Sequence, residues 1–299
     1  MRATWCLALL LVSTLVRAAD DAAPKAYNPC LAAGVKQTVV FLGKAIAPSR
    51  PGDPAAAPSF FGTGFLIEVD HVFYLVTAKH VAERLSPESG KIEDVVAGLN
   101  LKNGQGVLQS ISQTQIRLKV NWIFHPTADV AALPFSLSPE YNVRTIPIER
   151  FAPEDAYSEL QDVFFVSFQP SLQGSDHITP ILRRGMISLI SGDKVYLDAF
   201  VFPGNSGSPV FSRPSAMTFV PNGVFAGDAY GCMLLGVVGS YLPYRDEAIS
   251  RQTQQVRIVF EENTGLAEIV PMSALRTLIS STDFQVQHKR LLNPVADKK

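Results

Sequence analysis

Only three cysteines occur in the 299 residues, Cys6, Cys30 and Cys232. That rules out a disulfide-dense scaffold and a cysteine-built metal centre. No cluster of His, Cys and carboxylates has metal-ligand spacing, so no metal or other cofactor is expected. Neither sign of charge dominates: 26 Lys and Arg stand against 27 Asp and Glu, a formal net charge of −1. No basic block stands out, which argues against a nucleic-acid or anionic-membrane partner. Beyond the first twenty residues no apolar run is long enough to span a bilayer. There are no internal repeats. What the chain does have is apolar residues, 47% of the total, in amounts that fill one large β domain or two small ones.

The start, "MRATWCLALLLVSTLVRAAD", differs from the rest. Arg2 opens it, Trp5 to Val16 is almost wholly apolar, and Val16-Arg17-Ala18 suits a small-residue cleavage site. Residues 1–18 read as a signal peptide, with an uncleaved anchor as the alternative. The expectation is an exported protein, periplasmic or secreted, with no stable membrane insertion after cleavage. Removal of 1–18 takes away Arg2 and Arg17 and brings the net charge from −1 to −3. It also removes Cys6. Cys30 and Cys232 are left as a possible disulfide or as two buried thiols.

Residues 19–34 are Ala-rich and read as loose. From about 35 onward, short β-branched or aromatic runs alternate with turn signals: "QTVVFLGKAI", "GTGFLIEV", "HVFYLVTA", "VLQSISQTQIRLKV", "VAALPF", "DVFFVSF", "ITPILRRGMISLIS", "KVYLDAFVF" and "MLLGVVGSYL". This is an all-β pattern, a barrel or a sandwich. A polar, Pro-bearing stretch at 138–160 divides the strands into sets at about 35–137 and 161–270. "PMSALRTLISS" has the spacing of a short helix with Ser273 as a possible N-cap. Residues 281–299 read as a tail.

One stretch breaks the strand pattern. "FPGNSGSPVF" (202–211) sets Pro203, Gly204, Gly207 and Pro209 around Ser206. Glycine and proline weaken a strand, so this is either a plain loop or a turn that exposes Ser206 beside inward-pointing backbone N–H groups. A serine hydroxyl needs an adjacent base, an acid to orient that base, and donors for the oxyanion. Of the five histidines, His80 follows the run "FYLVTA", with small Ala78 two residues before it. His125 is a rival, but Pro126 after it suits a turn better. Asp129 stands directly before the apolar run "VAALPF". Taken singly, His80 reads equally well as a surface histidine and Asp129 as a turn residue.

In order, "GTGFLIEVDHVFYLVTAKHV", "ADVAAL" and "DAFVFPGNSGSPVF" resemble the His, Asp and Ser blocks of the chymotrypsin-like serine peptidases. The likeness is nearest to the bacterial HtrA-type branch, whose closing strand and helix "NTGLAEIVPMSAL" also resembles. HtrA-type enzymes carry a PDZ domain after the peptidase, and the residues beyond 280 are too few to form one. Gly207-Ser208 stands where that branch commonly has Gly-Gly. The resemblance covers about 35–280. It implies two six-stranded antiparallel β-barrels with a short C-terminal helix, His80 and Asp129 from the first barrel and Ser206 from the second.

By that resemblance His80 is general base and then acid, Asp129 orients it, and Ser206 attacks the peptide carbonyl. The N–H groups of Gly204 and Ser206 form the oxyanion hole. Phe200, Val201 and the stretch Val238-Gly239-Ser240 line the primary pocket. None of these is acidic, so cleavage after Ala, Val or Leu is expected unless Phe200 turns into the barrel core and leaves the pocket deep. The partner implied is a peptide or protein substrate. A catalytically silent peptide-binding or scaffold protein on the same fold is the alternative.

Overall fold

β-branched and aromatic side chains in runs of four to eight pack best on a pleated surface, and most of the apolar runs become strands. The structure is a computed structural model. It describes residues 32–45, 58–85, 94–169, 172, 177–214, 217–220, 223–226 and 232–293. Eight strands form the first sheet: β1 (Val39–Ala45), β2 (Ser59–Val69), β3 (Val72–Thr77), β4 (Asp94–Asn100), β5 (Gly106–Ser110), β6 (Ile123–Phe124), β7 (Ala131–Pro134) and β8 (Ile146–Pro147). Their order is β5-β4-β1-β2-β3-β7-β6, with β8 beside β2 in parallel.

The second half contributes β9 (Asp162–Ser167), β10 (Ile181–Ser191), β11 (Lys194–Asp198), β12 (Pro209–Ser212), β13 (Met217–Val220), β14 (Gly223–Ala226), β15 (Leu234–Ile249) and β16 (Val256–Pro271). Six of these close a barrel in the order β10-β11-β16-β15-β12-β9, and β13 and β14 pair separately. The all-β class and the division into two halves follow the sequence expectation. Strand number and closure of the first half do not: it has eight strands, and the described strands at its ends, β5 and β6, do not pair. Part of the excess comes from the connecting stretch, where Ile146 and Pro147 line up with Ile67 and Glu68.

Among the described residues five α-helices punctuate the strands: α1 (Ala32–Lys36), α2 (Lys79–Arg84), α3 (Ile111–Leu118), α4 (Met272–Ser280) and α5 (Thr282–Leu292). α3 corrects the strand expected over "VLQSISQTQIRLKV". Only Gly106–Ser110 is extended there. Ser110 Oγ then accepts the Gln113 N–H at 3.1 Å, and Lys119 ends the helix in the left-handed region at φ 52°. α4 starts from Pro271, with Ser273 inside the helix and not at its cap.

The expected tail from 281 is likewise corrected. Ser281 Oγ accepts the Phe284 N–H at 3.3 Å, Asp283 sits in the first turn, and Lys289 and Arg290 sit in the last. α5 then buries Phe284 against Tyr74 of β3, ring centroids 4.4 Å apart.

The two halves share one core. Phe41 of the first sheet stacks on Phe60 at 4.3 Å and on Phe168 of the second half at 4.7 Å. A contiguous apolar cluster runs on through Val166, Phe211, Leu234 and Val237 to Leu275 and Phe284. This shared core fixes the halves against each other, which a site built from both requires. One element leaves it. Past Tyr241 and Ala267, β15 and β16 continue paired to Ile249 and Val256 as an exposed two-stranded arm.

α5 is fastened by a buried polar contact. His288 Nδ1 lies 2.8 Å from Tyr74 Oη and Nε2 lies 3.2 Å from Asp70 Oδ2. With Nε2–H donating to the carboxylate, the Tyr74 hydroxyl donates to Nδ1. Burial, helped by the Asp70 charge, pushes the Tyr74 phenol well above its ordinary range, so it stays a donor. Tyr74→Phe leaves Nδ1 buried without a partner. The expected loss is about 1–3 kcal/mol in a urea melt, with His288→Leu in the Tyr74→Phe background recovering part of it.

Candidate active site

The first functional side chain sits where β3 hands over to α2. Thr77 ends the strand, Ala78 is fully buried, and His80 is the second residue of the helix. Its backbone N–H donates to Asp129 Oδ1 at 2.9 Å and its ring Nδ1–H donates to Asp129 Oδ2 at 2.8 Å. One carboxylate thus holds both the main chain and the ring. With the proton on Nδ1, Nε2 is left as an acceptor. Burial alone would push the Asp129 carboxyl up. The hydrogen bonds from the His80 ring and N–H, the attraction to His80 and the Lys79 N–H outweigh it and hold Asp129 below the ordinary carboxylate range.

The loop that presents Asp129 is organised by His125. Its Nδ1 accepts the N–H groups of Thr127 at 3.2 Å and Ala128 at 2.8 Å. The Lys79 ammonium reaches its carbonyl at 3.3 Å. Burial first, and then the Lys79 charge, push the His125 imidazole down, which keeps it neutral and able to accept. The rival base of the sequence reading is therefore a brace for the acid loop.

Ser206 comes from the second half, on the turn before β12. Its carbonyl accepts the Thr63 N–H at 2.9 Å, and Thr63 Oγ1 donates to the Gly204 carbonyl at 2.7 Å. Thr77 Oγ1 donates to the Thr63 carbonyl at 2.7 Å. Two buried threonines of the first sheet thus hold the serine turn. Gly207, at φ 86°, permits the approach: a Cβ there would lie 2.2 Å from Thr77 Oγ1 and 3.1 Å from the Ala78 nitrogen. The residue after Ser206 therefore touches the backbone two residues before His80. His80 Nε2 and Ser206 Oγ are not hydrogen-bonded to each other here; such pairs are commonly loose without substrate.

Asn205 locks the turn from below. Fully buried, it accepts the Phe202 N–H on Oδ1 at 2.9 Å and donates from Nδ2 to the Phe168 carbonyl at 3.0 Å. Its own N–H returns to the Phe202 carbonyl at 2.9 Å. Gly204 takes φ 98° in the same turn. Among the described residues the N–H groups of Gly204 and Ser206 donate to nothing within the protein.

A profile of the Trypsin-like peptidase domain matches residues 62–216, more than half of the chain. The chain belongs to the trypsin-like peptidase family. The matched span contains His80, Asp129 and Ser206. No curated protein matches the chain. Among solved structures, the one titled "Crystal structure of Deg5" is similar over 81% of this chain and 87% of its own, with 14% identity and a TM-score of 0.47.

The structure places the three pocket residues of this trypsin-like peptidase differently from one another. Phe200 is 57% exposed and lies parallel to Phe202 at 6.3 Å, so it does not turn into the core. Val201 does; it is buried among Val210, Val238 and Ile269. Consecutive extended residues face opposite ways, so placing Phe200 outside puts Val201 inside. Gly239 lies behind the acid, where a Cβ would come within 3.5 Å of Asp129 Oδ2. Cys232 is buried and disulfide-bonded, while Cys30 lies outside the described residues.

The sequence reading missed Thr63, Thr77, the bracing role of His125 and the bracing amide of Asn205. Only Asn205 carried a local signal, its place inside the glycine-serine turn.

Because its hydrogen bonds vanish on unfolding, the lowered Asp129 links stability to pH. That contribution is present above the unfolded carboxylate value of about 4 and is lost as pH falls through the lower folded value. Thermal melts below about pH 4 should show a steeper fall in Tm for wild type than for Asp129→Asn. Parallel curves would mean that Asp129 is not held down in the folded state.

Proposed function

We propose that this trypsin-like peptidase is an exported serine endopeptidase that works through His80, Asp129 and Ser206, in the manner its HtrA-like motifs suggest. What carries the reading is the double clasp of Asp129 on His80, which leaves Nε2 as an acceptor beside a turn whose Gly204 and Ser206 N–H groups are unpaired. His80 Nε2 takes the Ser206 proton as Oγ attacks the substrate carbonyl. The two N–H groups receive the oxyanion, and Asp129 stabilises the imidazolium. His80 then protonates the leaving amine, and water repeats the sequence on the acyl-enzyme. Asn205 braces the turn as a neutral amide, so no freed N-terminal amine is needed to order it. Export rests on residues 1–18, and a Cys30–Cys232 disulfide belongs to the same proposal.

The exposed Phe200–Phe202 pair supports a pocket with aromatic walls and no carboxylate. An unpaired Lys or Arg would be costly there. Digestion of a peptide library by the mature protein should give new termini after Ala, Val or Leu, and none in Ser206→Ala protein. Dominant cleavage after Lys or Arg would contradict the pocket assignment. An intact library would contradict the peptidase reading itself.

A further inference from the structure

Among the described residues, Arg183 of β10 is a cation with no counter-ion. Its Nη2 donates to Gln169 Oε1 at 3.0 Å, and its Cζ lies 5.1 Å from the centroid of Phe202. Its Nε–H is buried and unpaired. Among the described residues no carboxylate reaches it at ion-pair distance, and the acid nearest in the β9–β10 pairing, Asp162, is taken by Arg213 at 3.1 Å. Four of its five N–H groups, the one on Nε, two on Nη1 and one on Nη2, therefore have no acceptor in the described protein.

This cation belongs to the serine turn's own frame. Gln169 follows Phe168, whose carbonyl takes the Asn205 amide, and Phe202 donates its N–H to Asn205. Through Phe202 on one side and Gln169 and Phe168 on the other, Arg183 is thus linked to Asn205, the residue directly before Ser206. The Phe202 face and the Gln169 amide fix the guanidinium plane, and Phe200 extends the aromatic surface beyond it. A pre-oriented guanidinium with a free N–H on each Nη atom matches a carboxylate in the end-on, two-bond geometry. Partial desolvation already disfavours the charge, lowering the Arg183 pKa, and an arriving anion would offset that cost.

We propose that Arg183 is a carboxylate-recognition site beside the scissile bond, so that the enzyme favours substrates with a carboxylate within a few residues of the bond it cleaves. This rests on the peptidase reading above. Two sources share the chemistry: an internal Asp or Glu side chain, and the free C-terminus of a short substrate.

The test uses peptides with one apolar cleavage site. One set carries Glu or Gln at each of the three positions on either side. A second set ends two residues past the site as a free acid or as an amide. Wild type should favour Glu over Gln, or acid over amide, by about tenfold in kcat/KM at low salt, with the preference shrinking as salt rises. Preference in the first set identifies side-chain recognition, and in the second set terminal recognition. Within Arg183→Gln the ratio should fall to about one, and Arg183→Lys should keep part of it. Binding of the same pairs to Ser206→Ala protein, followed by fluorescence anisotropy, reads the preference without turnover and so separates this proposal from the peptidase reading. Equal handling of both members of every pair by wild type, or a preference that survives in Arg183→Gln, overturns it.

Discussion

Ser206→Ala protein is expected to lose about 10⁶-fold in kcat on a peptide cleaved by wild type, and His80→Ala about as much. The double variant should be scarcely worse than either single one. Attack requires Oγ and its acceptor in the same step, so removing either abolishes the shared path and the losses do not add. What remains would come from the N–H groups of Gly204 and Ser206, which both substitutions leave in place. Folding should not be at stake. The contacts that hold the turn run through the backbone of Gly204, Ser206 and Gly207 and the amide of Asn205, not through the Ser206 hydroxyl. Circular dichroism and Tm of Ser206→Ala should therefore match wild type. Losses that multiplied in the double variant would mean that Ser206 and His80 act in separate steps.

Asp129→Asn is the second large effect, about 10⁴-fold in kcat. Two hydrogen bonds tie Asp129 to His80, and both need an acceptor. An asparagine supplies one acceptor oxygen. If that oxygen keeps the backbone N–H, the amide nitrogen faces Nδ1 and favours the tautomer with the proton on Nε2, which cannot receive the serine proton. The substitution also removes the charge that stabilises the imidazolium. Gly239 leaves no side chain behind the carboxylate to take over the role. Steady-state kinetics at neutral pH give the number, and turnover near wild type would mean that another group orients His80.

The parts of this site that were legible in the sequence are those whose cause is local. A turn that must take positive φ at Gly204 and Gly207 displays its glycines around the serine, and His80 and Asp129 each follow or precede an apolar run at the edge of a strand. Their pairing is not local, since 49 residues separate them, and only the order of the three blocks suggested it. Thr63 and Thr77 could not be read at all. Each acts through a backbone carbonyl brought near by folding, in one case 141 residues away, and no spacing marks a threonine for that.

The orientation of the pocket residues was hidden for a different reason. A one-residue change of register exchanges inside and outside, and composition alone could not choose between Phe200 and Val201. Helix α3 was hidden by its β-branched residues, which favour strands until Ser110 and Lys119 close the two ends. α5 was hidden by polarity. Its buried face rests on Phe284 and on His288, whose burial depends on Tyr74 and Asp70 far away in sequence. In the arm, "VRIVF" has the composition of a buried strand, yet Val256, Ile258, Val259 and Phe260 are all about half exposed.

The central claim is that Ser206 is a nucleophile activated by His80, and a fluorophosphonate tests it without any knowledge of the substrate. The reagent phosphonylates a serine only where a base removes its proton and an oxyanion hole receives the phosphoryl oxygen. Mature, folded wild type should be labelled once, with mass spectrometry placing the adduct on Ser206, and neither Ser206→Ala nor His80→Ala should react. Folded wild type that stays unlabelled, or an adduct on any other serine, would contradict the account.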